Sequence, residues 1–360
     1  AWVKEGRQQG RQEGLQQGLQ QGLQQGLQQG RQEAALTFTL RLLERYEQSL
    51  ACYDKALELQ PQYAWAWNGK GIILERMNRN EDALRCFERA TQINPNDVWY
   101  WYNYADALQS MSRYNDAIPV LERALKIDPA HPNSWAKLGQ IRRLLHDYPA
   151  AVFAYERAIK LQPDYAWAHN GCGLALKAMG RLKDALMSFK RAARHQPDEV
   201  WHWYNLTEML VELGQYQDAV QPAQEATRTD PRHAFSWAKL GQVMRYVRRY
   251  HDSLDAYDHA IALQPDYAWA INGKGIVLEQ VGRYEEALRC YEEATKYNPN
   301  DVWHWYNVTE MLIELGQHQE AVETAQEATR TDPTHAFSWA KLGQVLRYAR
   351  RYDEAHDAYE

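Results

Sequence analysis

The chain has 360 residues, 45% of them apolar and 24% charged, with a formal net charge of −6. No run of lysine and arginine is present, which argues against binding driven by neutralising nucleic-acid phosphates. No apolar stretch approaches the ~18 residues of a membrane-spanning helix, and four dispersed cysteines do not make a disulfide framework.

Residues 6–33 follow a period of four, with Gly6, Gly10, Gly14, Gly18, Gly22, Gly26 and Gly30, and with Leu15, Leu19, Leu23 and Leu27 each following a glycine. Glycine costs a helix about 1 kcal/mol per residue, so this segment does not stand alone as a helix. A four-residue period exceeds 3.6, so its stripe drifts by about 40° per tetrad. Small glycine faces permit very close helix contact. Residues 1–32 therefore read as a tail made helical by packing on another copy or a neighbouring molecule, forming a homo-oligomer.

From Pro61 onward a different cadence takes over. Pro61, Pro95, Pro129, Pro163, Pro197, Pro231, Pro265, Pro299 and Pro333 are spaced 34 residues apart. Proline lacks an N–H and clashes with the preceding turn, so these are equally spaced helix stops. With units starting three residues after each proline, the first full unit spans 30–63 and eight more follow, with a shortened tenth at 336–360. Position 4 reads Trp67, Trp101, Trp135, His169, Trp203, Trp237, Ile271, Trp305 and Trp339. Position 8 is small: Gly71, Ala105, Gly139, Gly173, Thr207, Gly241, Gly275, Thr309 and Gly343. Alanine dominates positions 20 and 27, as at Ala83 and Ala90. Apolar residues at i, i+3 and i+4 run through both halves of a unit, around a polar turn such as Asn78-Arg79-Asn80. Each unit is thus expected to be an antiparallel helix pair, with small residues admitting close backbone approach and the position-4 aromatic plugging the gap between hairpins.

The pattern W-x2-L-G … A-x3-F … A … P over residues 30–360 resembles the tetratricopeptide-repeat family. That resemblance implies an all-α fold, a right-handed α-solenoid over residues 33–360, with first helices lining a concave wall. It also implies binding of a protein or extended peptide, without catalysis. The run GRQEAALTFTLRLLERY (residues 30–46) resembles tails behind nuclease-like domains of the recombination-promoting, transposase-related family, but no catalytic acid-and-lysine core is present.

In the family's geometry, positions 2, 5, 6, 9, 12 and 13 of each first helix face the groove. Position 2 supplies Trp65, Trp99, Trp167, Trp201, Trp269 and Trp303, either closing the junction near Tyr63, Tyr165 and Tyr267 or offered to a ligand. The first unit type adds Asn68, Asn170 and Asn272. The second adds Tyr102, Tyr204, Asn103, Asn205 and Asn307, then Asp106, Glu208 and Glu310. The third adds Lys137, Lys239 and Lys341, then Gln140, Gln242, Arg143 and Arg245. Asparagine and glutamine are expected to meet peptide amides, and the acidic and basic bands ligand charges. A carboxylate clamp needs lysine at position 5 and asparagine at position 9 of its first unit. Asn68 and Ile72 stand there, which disfavours a chaperone C-terminus as ligand.

A longer period of three units is superposed: residues 200–258 and 302–360 are identical at 45 of 59 positions, a recent duplication. The histidines recur with it (His131, His233 and His335; His202 and His304), which reads as inherited surface chemistry. Cys52, Cys86 and Cys290 share one place in their units, and with Cys172 are expected to be packed in a reducing cytoplasm. No nucleophile elbow, phosphate loop or metal-binding helix is found. No catalytic residue, cofactor or metal, and no nucleic-acid or membrane partner, is expected. The leading expectation is a non-catalytic binding scaffold. Two alternatives are a self-assembling structural protein with uncapped ends, and the interaction arm of a larger nuclease-like effector with its effector domain upstream.

Overall fold

The computed structural model describes residues 39–359, and every regular element among them is an α-helix. Residues 1–32, with their expected helix and self-association, lie outside the described residues, and of the run 30–46 only residues 39–46 are described, all helical. The chain forms two compact units, one ending at His146 and one beginning at Asp147.

The first unit holds α1 (described over 39–59), α2 (Ala64–Arg76), α3 (Asn80–Ile93), α4 (Val98–Ser110), α5 (Tyr114–Ile127) and α6 (Pro132–Leu144). The second holds α7 (Tyr148–Leu161), α8 (Ala166–Ala178), α9 (Leu182–His195), α10 (Val200–Glu212), α11 (Tyr216–Thr229), α12 (Ala234–Tyr246), α13 (Tyr250–Leu263), α14 (Ala268–Gln280), α15 (Tyr284–Tyr297), α16 (Val302–Glu314), α17 (His318–Thr331), α18 (Ala336–Tyr348) and α19 (Tyr352–Tyr359). Within each unit successive helices pack antiparallel, and first helices also touch the next first helix, as α2 does α4 and α12 does α14. Each unit is an α-solenoid of stacked helix pairs, as expected.

Local chemistry sets these boundaries. Asp97, Glu199 and Asp301 cap α4, α10 and α16 by accepting from the backbone N–H two residues on, at 2.9, 3.3 and 3.0 Å. Second helices open with an i,i+3 pair, such as Arg113 with Asp116 at 2.8 Å and Arg283 with Glu286 at 2.7 Å, which puts the carboxylate in the positive first turn. Between paired helices one residue adopts the left-handed conformation every 34 positions: glycine at 180, 214, 282 and 316, but Asn78, Ser112, His146, Arg248 and Arg350 elsewhere. That residue closes a Schellman turn, as where Arg249 N–H donates to Met244 O at 2.8 Å.

The repeated alanines are the core: Ala83, Ala117, Ala151, Ala185, Ala219, Ala287 and Ala321 are fully buried, as are Ala90, Ala124, Ala158, Ala192, Ala260 and Ala294. The repeated glycines leave room for a specific neighbour. A Cβ on Gly71, Gly241 or Gly275 would lie 2.7, 2.9 or 2.6 Å from Phe87, Tyr257 or Tyr291 of the following helix. Each glycine seats an aromatic ring of the helix packed against it. The position-4 tryptophan stands between hairpins as expected: Trp67 packs against the cluster of Ala64, Ala90 and Tyr100, and Trp237 against that of Tyr257, Ala260 and Ala270. It is half-buried, and its indole N–H donates to the carbonyl of the proline six residues earlier, as from Trp67 to Pro61 and Trp237 to Pro231, both at 2.9 Å. His169 reproduces that bond to Pro163 at 2.9 Å through Nε2, whereas Ile271 has no group to make it.

Cys86 and Cys172 are buried, which pushes both thiols up to about 11, and burial raises Cys290 too. Cys52 is exposed rather than packed. No described helix is long and apolar enough to cross a membrane.

Candidate functional site

One cluster of side chains occurs three times at intervals of 102 residues. In the first unit it lies on α4 and α6. Trp99 and Tyr102 sit one turn apart on α4, their rings edge-to-face at 5.7 Å. His131, just before α6, stands edge-on to both, at 4.6 and 5.9 Å. Its Nδ1 accepts from the Ser134 N–H at 3.3 Å and lies 2.7 Å from Ser134 Oγ, so the neutral ring carries its proton on Nε2. That N–H has no hydrogen-bond partner among the described residues. Burial holds the His131 pKa below the usual histidine value.

The charged residues of this face are partners of one another. Lys137 Nζ donates to Asp106 Oδ1 at 2.6 Å and lies 5.7 Å from the Tyr102 ring centre. Asn103 Nδ2 donates to Asn68 Oδ1 at 2.9 Å, tying α4 to α2. One turn on, Ser110 Oγ donates to Glu75 Oε1 at 3.2 Å, and burial, then the charge of Asp106, raises the Glu75 carboxyl. Gln140 Oε1 and Arg143 Nε are buried without a hydrogen-bond partner among the described residues.

The second unit carries the cluster twice. Trp201 meets Tyr204 at 5.5 Å and His233 at 4.7 Å, and Asn205 donates to Asn170 at 2.9 Å. Glu208 receives Lys177 at 3.0 Å and Lys239 at 3.9 Å. Lys239 lies 5.5 Å from the Tyr204 ring and 5.2 Å from Trp269, and donates to Gln242 at 3.2 Å. Burial lowers the Lys239 pKa and pushes the Tyr204 phenol up to about 12. In the next copy Trp303 meets Tyr306 at 5.7 Å and His335 at 4.7 Å, Asn307 donates to Asn272 at 2.8 Å, and Lys341 pairs with Glu310. Here burial, which would lower the Lys341 pKa, is outweighed by Glu310, and the ammonium is held above its usual value.

These pairings answer both to what the sequence suggested and to what it missed. The tryptophans at position 2 do two things at once. Trp65 and Trp167 lean on Tyr63 and Tyr165, at 5.8 and 6.1 Å, and Trp269 on Tyr267 at 6.0 Å. Yet Trp99, Trp201 and Trp303 remain 48%, 48% and 50% exposed. The acidic and basic bands are paired with each other across neighbouring first helices, Asp106, Glu208 and Glu310 with Lys137, Lys239 and Lys341. The asparagines engage one another. Arg245 lies over the Tyr246 ring at 4.4 Å. The histidines, which read in sequence as inherited surface chemistry, belong to the cluster. Their place two residues after the proline of every third unit was the available signal.

Models of the tetratricopeptide repeat match residues 33–96, 78–141, 173–234, 232–300 and 272–336, and a TPR-repeat model matches 139–180. The chain belongs to the tetratricopeptide-repeat family. No curated protein matches it in sequence. This tetratricopeptide-repeat chain is similar to a chain of the APC/C hetero-tetramer Cut9–Hcn1, at 14% identity and TM-score 0.54, over 82% of this chain and 58% of that one. It is similar to a tetratricopeptide repeat protein of Parabacteroides merdae, at 16% identity and TM-score 0.53, over 62% and 88%. YrrB, a TPR protein with an unusual peptide-binding site, is 23% identical over 52% of this chain and 97% of its own, with a TM-score of 0.45. These likenesses concern the fold. Tetratricopeptide-repeat proteins serve as protein-interaction scaffolds.

The described residues hold one group of three potential metal ligands, His251, Asp252 and Asp255. Arg249 holds Asp252 at 2.6 Å and His251 pairs with Asp255 at 3.0 Å.

Proposed function

We propose that this protein is a non-catalytic scaffold that binds an extended segment of another protein across the first-helix face. The observation that carries this reading is the half-exposed tryptophan of each cluster. One side of its indole is held by a tyrosine and a histidine edge, which leaves an oriented aromatic surface to solvent. Such a surface is pre-ordered, so little side-chain entropy is lost when a ligand settles on it. Paired asparagines keep unused amide valences beside it for a peptide backbone.

The test is a library of extended ten-residue peptides screened by quenching of tryptophan fluorescence. Binding is expected to disappear in the Trp99→Ala, Trp201→Ala, Trp303→Ala triple variant while its helical circular dichroism is kept. Undiminished binding by that folded variant would place the interaction elsewhere.

A further inference from the structure

Resting on that reading, we infer that the three clusters are related subsites of graded strength for cationic side chains, so that the chain is a trivalent receptor for arginine-containing segments. The argument starts from which member of each ion pair faces water. The lysine side chains Lys137, Lys239 and Lys341 are only 10%, 11% and 12% exposed, tucked over the rings of Tyr102, Tyr204 and Tyr306. Their partners Asp106, Glu208 and Glu310 are 38%, 36% and 33% exposed. The more exposed charge of each of these pairs is therefore the carboxylate, although each pair is formally neutral. Glu212, which shares Lys177 with Glu208, adds a second carboxylate to the middle cluster.

The aromatic half of the cluster points to the same ligand. The indole, the phenol and the carboxylate sit at i, i+3 and i+7 of one helix, so they form a strip about 10 Å long on a single face. A guanidinium laid on the open indole gains a cation–π contact. Its N–H groups also match a carboxylate that retains unused lone pairs. An acidic ligand would meet only the exposed carboxylates, and an aliphatic one would leave them unpaired.

The clusters are not identical. Phe337 stands 6.2 Å from Trp303 and adds a wall to the third subsite. Phe235 packs on His233 at 5.5 Å in the second. Asn133 occupies the corresponding position in the first. The first subsite is accordingly the weakest. A longer ligand whose arginines reach two subsites engages both, and its avidity exceeds that of a decapeptide held at one.

The experiment uses the full chain and three decapeptides of alternating sequence, Arg-Gly, Leu-Gly and Glu-Gly, followed by calorimetry and tryptophan fluorescence. The Arg-Gly peptide is expected to bind at least about tenfold tighter than the other two, to weaken with salt, and to saturate at three per chain. Trp201→Ala is expected to remove one equivalent, and Glu208→Gln to weaken one equivalent with unchanged helicity. Tighter tryptophan-dependent binding of Leu-Gly or Glu-Gly, or a single equivalent of Arg-Gly, would overturn the inference and leave the peptide-binding reading standing. If none of the three perturbs the tryptophans, both fall.

Discussion

The indole N–H of Trp203 donates to the carbonyl oxygen of Pro197 at 2.8 Å. The two residues most visible in the repeat pattern are thus bonded to each other. The proline stops one helix and the tryptophan of the next helix satisfies the carbonyl left at the stop. Trp203→Phe keeps the ring and removes the donor, so it is expected to cost about 1 kcal/mol in urea unfolding. Trp201→Phe, two residues away with no such bond, should stay within about 0.5 kcal/mol. Equal effects would show that the bond contributes nothing.

Tyr257 is fully buried, held between Gly241 on α12 and Gly273 on α14. A methyl group at Gly273 would lie 2.5 Å from its ring. Gly273→Ala gains about 1 kcal/mol of helix propensity but forces the ring aside, and a net loss of about 1–2 kcal/mol is expected. A melting temperature that rises would mean that the ring has room to move.

Arg248 holds a left-handed backbone, φ +61°, where Gly214 and Gly282 occupy the equivalent turns. Arg248→Gly relieves this strain at some cost in unfolded-chain entropy, leaving a gain of about 0.5–1 kcal/mol. Chemical denaturation checks the sign.

Burial holds the pKa values of His131, His169 and His233 below the ordinary 6.5. The folded state therefore binds these protons less readily than the unfolded state. The stability that their neutral forms confer is complete above pH 6.5 and is lost as the pH falls through that value and their folded values. Glu75, raised by burial and by Asp106, acts in the opposite sense nearer the acid range. Melting temperatures should drop between about pH 7.5 and about pH 5.5. His131→Asn, which keeps an acceptor for the Ser134 N–H, should flatten that drop. An unchanged slope would clear His131 of the effect.

How much of this was legible beforehand differs from residue to residue. Proline at a fixed interval, alanine at two places and an apolar 3.6-residue period depend on local backbone chemistry, and the helix pairs follow from them directly. The family resemblance rested on those same positions, and the matching family models cover residues 33–336. Gly71 was legible as a close contact, but its partner, the Phe87 ring, was not, because nothing local says which side chain fills a gap.

The candidate site shows the same division more sharply. Trp99, Asp106 and Lys137 could each be nominated from helical phase. Phase alone does not reveal that Lys137 folds over Tyr102 to reach Asp106 at 2.6 Å, or that His131 props up the indole. Those relations join residues about thirty positions apart, and only the stacking of neighbouring helices brings them within a few ångströms. The amino-acid order by itself determined the repeat, its helices and their stops, since these are set within a turn or two of backbone. Tertiary packing decided which charges cancel and which face of each tryptophan stays open, because burial and Coulomb attraction act through space.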